Sequence, residues 1–255
     1  MTPELIPFVL IIVFLYGIVI GSFLNVCIYR IPKGESVAKE HSHCMSCGYR
    51  LRWYDLIPIF SWIFLRGKCR KCGERISVQY PLVEVCNGIL YVIIFMINGY
   101  SMESILYCLM TSALLVLSVI DIRTYEIPVG INLFLLVIGA LHFILDRENW
   151  ISYLAGMFAV SILLEVIFLI SKGRAIGGGD VKLMAAAGFI LGWKEIILAF
   201  VIGCIAGSVI HLLRMKLSGA DKVLAMGPYL SAGILFSALW GERLLSWYLN
   251  CLTGI

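Results

Sequence analysis

The chain has 255 residues, of which 61% are hydrophobic and 14% charged, with a mean hydropathy of +0.96 and a formal net charge of +4. That balance excludes an ordinary soluble domain, and loop residues facing anionic lipid headgroups account for the positive charge without nucleic acid. The apolar residues come in runs of membrane-spanning length, not in amphipathic alternation, which predicts an all-α polytopic membrane protein.

Runs of about 17 to 21 apolar residues mark spans, and they predict eight helices, at residues 5–24, 82–98, 104–120, 127–145, 151–171, 181–193, 196–213 and 224–247. The first run follows "MTPELIPFVL", with no basic segment before it and no cleavage pattern after it, which predicts a retained helix with an outward N-terminus. With segment 25–81 inside, all of the 20 Lys and Arg residues except Arg147, Lys194 and Arg243 fall on the cytoplasmic side, as the positive-inside rule requires. The sixth run is short, near 20 Å of helix against about 30 Å of hydrocarbon, so one of its ends lies inside the bilayer.

Segment 25–81, between the first two runs, is the one sizeable polar stretch. Cys44-x-x-Cys47 and Cys69-x-x-Cys72 form two knuckles separated by 21 residues, and Gly48 and Gly73 follow them to permit the tight turns that aim sulfurs at one ion. Four thiolates suit a closed, structural, tetrahedral Zn2+ site. A pair of disulfides is the alternative, and it needs an oxidising compartment that the charge count argues against. His41 and His43 are expected to be solvated, and Cys27, Cys86, Cys108, Cys204 and Cys251 to be packing residues of the apolar spans. "LIPIFSWIFL", between the knuckles, is too short to span and too oily for a free loop, which predicts an interfacial or re-entrant segment. The loop is then a zinc-pinned platform on the cytoplasmic face, with basic residues suited to phospholipid or to a peptide approaching along the membrane.

Solvation accounts for most of the acids: Glu35, Glu40, Asp55 and Glu74 in the loop, and Asp146, Glu148, Glu195 and Glu242 outside. Glu84, Asp121, Glu165 and Asp180 fall at or within the spans, where a carboxylate is expensive and marks either function or a buried partner. For Glu165 the expectation is no more than a buried, hydrogen-bonded acid. Asp121 closes the third run in "LSVIDIRTYEIP", and Asp180 opens the short sixth run in "AIGGGDVKLMAAAG". Gly177, Gly178 and Gly179 permit irregular backbone and close approach of a substrate chain, while the helix that follows favours a carboxylate at its N-terminus. A flexible loop with an N-capping Asp is the bland alternative. If the two aspartates meet in a poorly solvated site, one ionised and one protonated carboxyl together supply the chemistry of aspartic proteolysis.

These residues resemble the type IV prepilin leader peptidases, a family of bifunctional intramembrane aspartyl proteases of the GxGD type. The resemblance runs nearly end to end: "GSFLNVCIYRIP", the tetracysteine loop through "YPLVE", "IDIRTYEIP", "AIGGGDVKLMAAAGFILG" and "MGPYLSAG" occur in the family's order. It implies a catalytic dyad of Asp121 and Asp180, an active-site loop at Gly177–Gly178–Gly179, and cleavage of prepilins or pseudopilins on the cytoplasmic side of a bacterial inner membrane. It also implies N-methylation of the new amino terminus with S-adenosyl-L-methionine, residues 1–98 being associated with the methyl transfer and 99–255 with the peptidase. Val129 stands where many members carry a polar residue. No glycine-rich strand-turn-helix of a dinucleotide-type cofactor fold is present, so the transferase expectation rests on the resemblance alone.

Two other classes of function compete. An ion-coupled transporter using intramembrane acids predicts broken helices repeated in both halves, whereas only residues 177–179 break an apolar element. A zinc-anchored scaffold without chemistry leaves the aspartates without a purpose.

Overall fold

The structure, a computed structural model, describes residues 4–39, 41–218 and 224–253. Glu40, and residues 219–223 of the last basic loop with Lys222 among them, lie outside the described residues. Those described are overwhelmingly helical and include no β-strand, only two isolated bridges. The chain divides into two compact units, Met1–Ser104 and Ile105–Ile255.

The first unit holds α1 (Ile6–Arg30), the cysteine loop with its five-residue α2 (Phe60–Phe64), and α3 (Gln79–Asn98). Pro7 stands at the start of α1, where a missing N–H breaks no helical bond, and after Arg30 the chain tightens into a turn that Gly34 ends at φ 69°. α1 and α3 pack backbone against backbone. A Cβ on Gly17 would lie 2.6 Å from the Gly88 Cα, and one on Gly21 would lie 2.7 Å from the Glu84 Cα. Gly17 and Gly21 are four residues apart, the spacing that lets apolar helices approach closely, and Asn87 Nδ2 donates to the Gly17 carbonyl at 2.8 Å across the contact. The "LIPIFSWIFL" segment turns apolar side chains outward, with Phe60, Ile63 and Phe64 all exposed.

The second unit contains most of α4 (Met102–Thr124), then α5 (Val129–Leu145), α6 (Trp150–Ala159), α7 (Ser161–Ser171), α8 (Gly178–Leu191), α9 (Trp193–Ser218) and α10 (Gly227–Thr253). Its centre is α8, which packs against α5, α6, α7 and α9. Leu183, Met184, Ala186, Ala187 and Ile190 are fully shielded, as expected of a helix that is apolar on every side. Small residues on α8 let a neighbour come close: Gly188 meets the Gly156 backbone of α6.

Each of the eight apolar runs falls on helix, but among the described residues five helices are long and apolar enough to cross a membrane. These are α1, α3, α4, the pair α6 and α7 taken together, and α9, while α5 is apolar but shorter. α8 has only 14 residues. The fifth run is not one rod, since Val160 separates α6 from α7. Two expectations fail here. Glu165 is exposed on α7 rather than buried, because α7 turns Leu164 and Ser161 inward instead. Cys251 is exposed near the end of α10 rather than packed within a span.

Candidate active site and metal centre

The two knuckles of the cysteine loop fold alike. In the first, the Cys44 N–H donates to the Tyr49 carbonyl at 2.8 Å and the Gly48 N–H to the Cys44 carbonyl at 2.9 Å. In the second, Cys69 donates to Glu74 at 2.7 Å and Gly73 to Cys69 at 3.0 Å. Gly48 and Gly73 both have positive φ, 66° and 74°, the left-handed turn that glycine adopts without penalty. The result brings the sulfurs of Cys44, Cys47, Cys69 and Cys72 within 4.8 Å of one another, with Cys44 and Cys72 at 3.8 Å. Four sulfurs about 2.3 Å from one tetrahedral ion stand about 3.8 Å apart, so the donor set fits a metal ion of that geometry. The backbone N–H groups of Cys72 and then Lys71 pull the Cys69 thiol down to about 7. Cys72 has the Glu74 N–H favouring its thiolate, yet desolvation and its three sulfur neighbours push it up to about 12. A cation is what allows such a set to ionise together.

His41 and His43 stand outside this cluster: His41 Nε2 lies 2.6 Å from Arg50, and His43 Nδ1 contacts the His41 carbonyl at 3.1 Å. Asp55, expected to be solvated, is instead buried. Its Oδ1 accepts from Arg70 Nε at 2.8 Å and its Oδ2 from the Arg52 N–H at 3.2 Å, because the loop closes around it. Glu84 is buried at the start of α3, and its Oε2 accepts the Ile59 N–H at 2.7 Å. That bond holds Ile59 at φ 62°, a conformation that β-branched residues rarely adopt unless their surroundings dictate it.

In the second unit the carboxylate of Asp121, buried at the end of α4, accepts the Gly227 N–H at 2.8 Å. Gly227 is the first residue of α10, where backbone N–H groups have no helical partner, so the bond satisfies a helix terminus and fixes the acid at once. Asp180 occupies the first turn of α8, three residues after the N-cap Gly177, with its N–H donating to the Gly177 carbonyl at 3.1 Å. Its half-buried carboxylate lies at the positive end of the helix, and it is close enough to Asp121 for the two charges to interact.

The three glycines, expected to form an irregular loop, instead start α8, with Gly177 as its N-cap and Gly178 and Gly179 as its first two residues, and they serve different purposes. A Cβ on Gly179 would lie 2.8 Å from the Ile127 Cβ, and one on Gly177 would lie 3.2 Å from Asp180 Oδ2. Gly178 has more room, with nothing nearer than the Phe168 ring at 3.6 Å. Two residues that sequence reasoning did not single out also meet the site. Gly227 sits in the quoted "MGPYLSAG", but its bond to Asp121 spans 106 positions and left no local signal. Asn132 donates to the Gly179 carbonyl at 3.4 Å, and its Oδ1 is buried without a partner among the described residues. Its signal was an amide one turn into an apolar helix.

Residues 15–98 match the bacterial peptidase A24 N-terminal domain, and residues 108–212 match the type IV leader peptidase family. A Bacillus subtilis (strain 168) protein named prepilin leader peptidase/N-methyltransferase is 33% identical over 246 residues, covering 95% of this chain and 99% of that relative. A Stutzerimonas stutzeri protein of the same name is 32% identical, over 92% of this chain and 91% of the relative. A third, from Myxococcus xanthus (strain DK1622), is 32% identical over 84% of this chain and 65% of its own length. No solved structure matches the chain.

Proposed function

The chain belongs to the type IV leader peptidase family, and from that membership we propose that it cleaves the short basic leader of type IV prepilins or pseudopilins through an aspartate dyad, Asp121 and Asp180. The observation that carries the reading is the approach of these two acids, one held by the Gly227 N–H and the other at the head of α8. Two carboxyls that interact in a poorly solvated site do not both ionise easily, so one keeps its proton and their titration belongs to the pair. The ionised member takes a proton from water as the oxygen attacks the scissile carbonyl. The protonated member donates its proton to the carbonyl oxygen; as the tetrahedral intermediate collapses, the first member passes the proton it took from water to the departing amine and the second recovers one from the intermediate's hydroxyl. Gly177, Gly178 and Gly179 add no side chains of their own at the head of α8, so an extended peptide can come close to backbone beside Asp180.

In this reading α5, α8 and α10 complete the membrane domain of a multi-pass bacterial inner-membrane enzyme. An α8 of 14 residues covers about 21 Å of a bilayer core about 30 Å thick, which sets Asp180 roughly 10 Å below the cytoplasmic surface. The four cysteines hold structural Zn2+, and the distribution of Lys and Arg makes the zinc-pinned loop cytoplasmic, with Phe60, Ile63 and Phe64 toward the lipid. Its basic residues meet headgroups and the incoming leader.

The names of the relatives and the match of residues 15–98 support a second activity, N-methylation of the new amino terminus. S-adenosyl-L-methionine, when bound, supplies an electrophilic methyl group on a sulfonium centre. An α-amine with a pKa near 8 is partly neutral at cytoplasmic pH and so has a lone pair for the transfer.

The test is incubation of purified protein with a prepilin in detergent, with the masses of the leader and the new N-terminus measured. Asp121→Asn and Asp180→Asn are each expected to abolish cleavage while the helical content stays native. Normal trimming by either variant overturns the dyad.

A further inference from the structure

The first unit contains a cavity of about 620 Å3 between the inner end of α1, the start of α3 and the cysteine loop. That volume falls in the range of about 300–1,000 Å3 typical of small-molecule sites. Cys44 and Cys69 both line it, so the metal-pinned knuckles form one of its walls. Tyr29, Trp62 and Tyr80 contribute aromatic surface.

The groups with unused capacity in this cavity are acceptors. Asn25 is 2% exposed, and its Nδ2 donates to the carbonyls of Tyr80 at 3.0 Å and Gly21 at 3.3 Å, while its Oδ1 has no partner among the described residues. Glu84, 5% exposed, takes the Ile59 N–H and a bond from Ser22, which leaves about half of a carboxylate's acceptor sites open. Two of the three arginines that line it are engaged, Arg30 with the Ser36 carbonyl at 3.1 Å and Arg70 with Asp55 at 2.8 Å, and the third, Arg75, is exposed. A phosphate would meet the exposed Arg75, with the other two guanidiniums already bonded. A ligand that combines a cationic centre, N–H donors and a flat ring meets a carboxylate, an orphaned amide oxygen and aromatic faces.

We propose that this cavity is the methyl-donor site, taking a sulfonium nucleoside with Glu84 as the counter-charge to the sulfonium and Asn25 Oδ1 as acceptor for one of its N–H groups. The placement rests on the transferase reading above and adds where, and by which residues, the donor is held. It also explains why a tetracysteine loop accompanies the transferase half: the metal shapes a wall of the pocket without touching the chemistry.

The experiment compares binding of S-adenosylmethionine with binding of S-adenosylhomocysteine, its neutral thioether product, by calorimetry on the purified full-length protein in detergent. Wild-type protein is expected to bind both. Glu84→Gln keeps an acceptor for the Ile59 N–H but removes the charge, so affinity for the sulfonium should fall about tenfold while affinity for the thioether stays within about twofold. A purely structural role would weaken both alike, and that result overturns the assignment, as does no change in either. Val26→Trp, which fills the cavity from α1, should block both ligands while zinc content stays at one per chain, and undiminished binding by that variant overturns the placement. A photoreactive residue at position 26 should crosslink to radiolabelled S-adenosylmethionine, and capture of phosphatidylethanolamine instead gives the cavity to a lipid headgroup. Prepilin methylation by wild-type protein, together with direct ultraviolet crosslinks of radiolabelled S-adenosylmethionine to that protein outside residues 22–84, removes the placement alone. Absence of both methylation and donor binding removes the transferase reading with it.

Discussion

Gly227→Ala perturbs Asp121 without changing any ionisable group. A Cβ on Gly227 would sit 2.7 Å from Asp121 Oδ2, 3.0 Å from Leu117 Cδ2 and 3.1 Å from Asp121 Cβ, all inside normal contact. Leu117 is fully buried and cannot retreat far, so the carboxylate is the part that moves, and its 2.8 Å bond to the Gly227 N–H is stretched or lost. A hydrogen bond to a charged group is worth about 1.5–3 kcal/mol. If the full amount appears in the transition state, at about 1.36 kcal/mol per factor of ten, kcat falls roughly 10- to 150-fold. KM should change much less, because in the proposed dyad Asp121 would act on the water and carbonyl rather than on the length of the leader. The assay is steady-state cleavage of a purified prepilin in detergent. Gly130→Ala on α5 serves as control, since a Cβ there meets nothing within 4 Å and should leave kcat near wild type. A Gly227→Ala enzyme with wild-type kcat would refute the claim that this contact sets the position of the acid.

Three other outcomes are expected. Cys44→Ser should lower the zinc content from one per chain to a substoichiometric level by elemental mass spectrometry, and full retention of metal would count against a four-sulfur site. Gly21→Leu forces a side chain against the Glu84 backbone, where an added Cβ alone reaches 2.7 Å; overpacking of this kind costs about 1–3 kcal/mol, so the unfolding midpoint should drop, and an unchanged midpoint would mean that α1 and α3 can separate freely. Asp146 concerns pH: Asn149 Nδ2 at 3.0 Å and the Tyr153 hydroxyl at 2.6 Å hold its carboxyl below the usual range. The stability this gives is present above the unfolded value of about 3.9 and is lost as pH falls through the lower folded value. The gap in melting temperature between wild type and Asp146→Asn should therefore narrow from pH 5 to pH 3, and a constant gap would exclude the linkage.

Much of this protein is legible in the order of its residues, for reasons that act locally. Membrane-length apolar runs forecast where the helices lie, since in lipid a segment must satisfy its own backbone. The two C-x-x-C-G knuckles, each closed by bonds within six residues, forecast four sulfurs around one point. The long-range arrangements were not legible. Nothing near Val160 announced a break, and Glu165, read as buried, is exposed because the neighbours of α7 decide which of its faces is covered. Asp55 looked like an ordinary loop acid until the fold brought Arg70 to it across 15 positions. Asp121 and Asp180 could each be suspected from a carboxylate beside an apolar run, but their proximity, the Gly227 clamp and the Asn25 and Glu84 wall depend on helices distant in sequence. Local periodicity and solvation select an element and its environment, whereas only packing between elements determines which side chains meet.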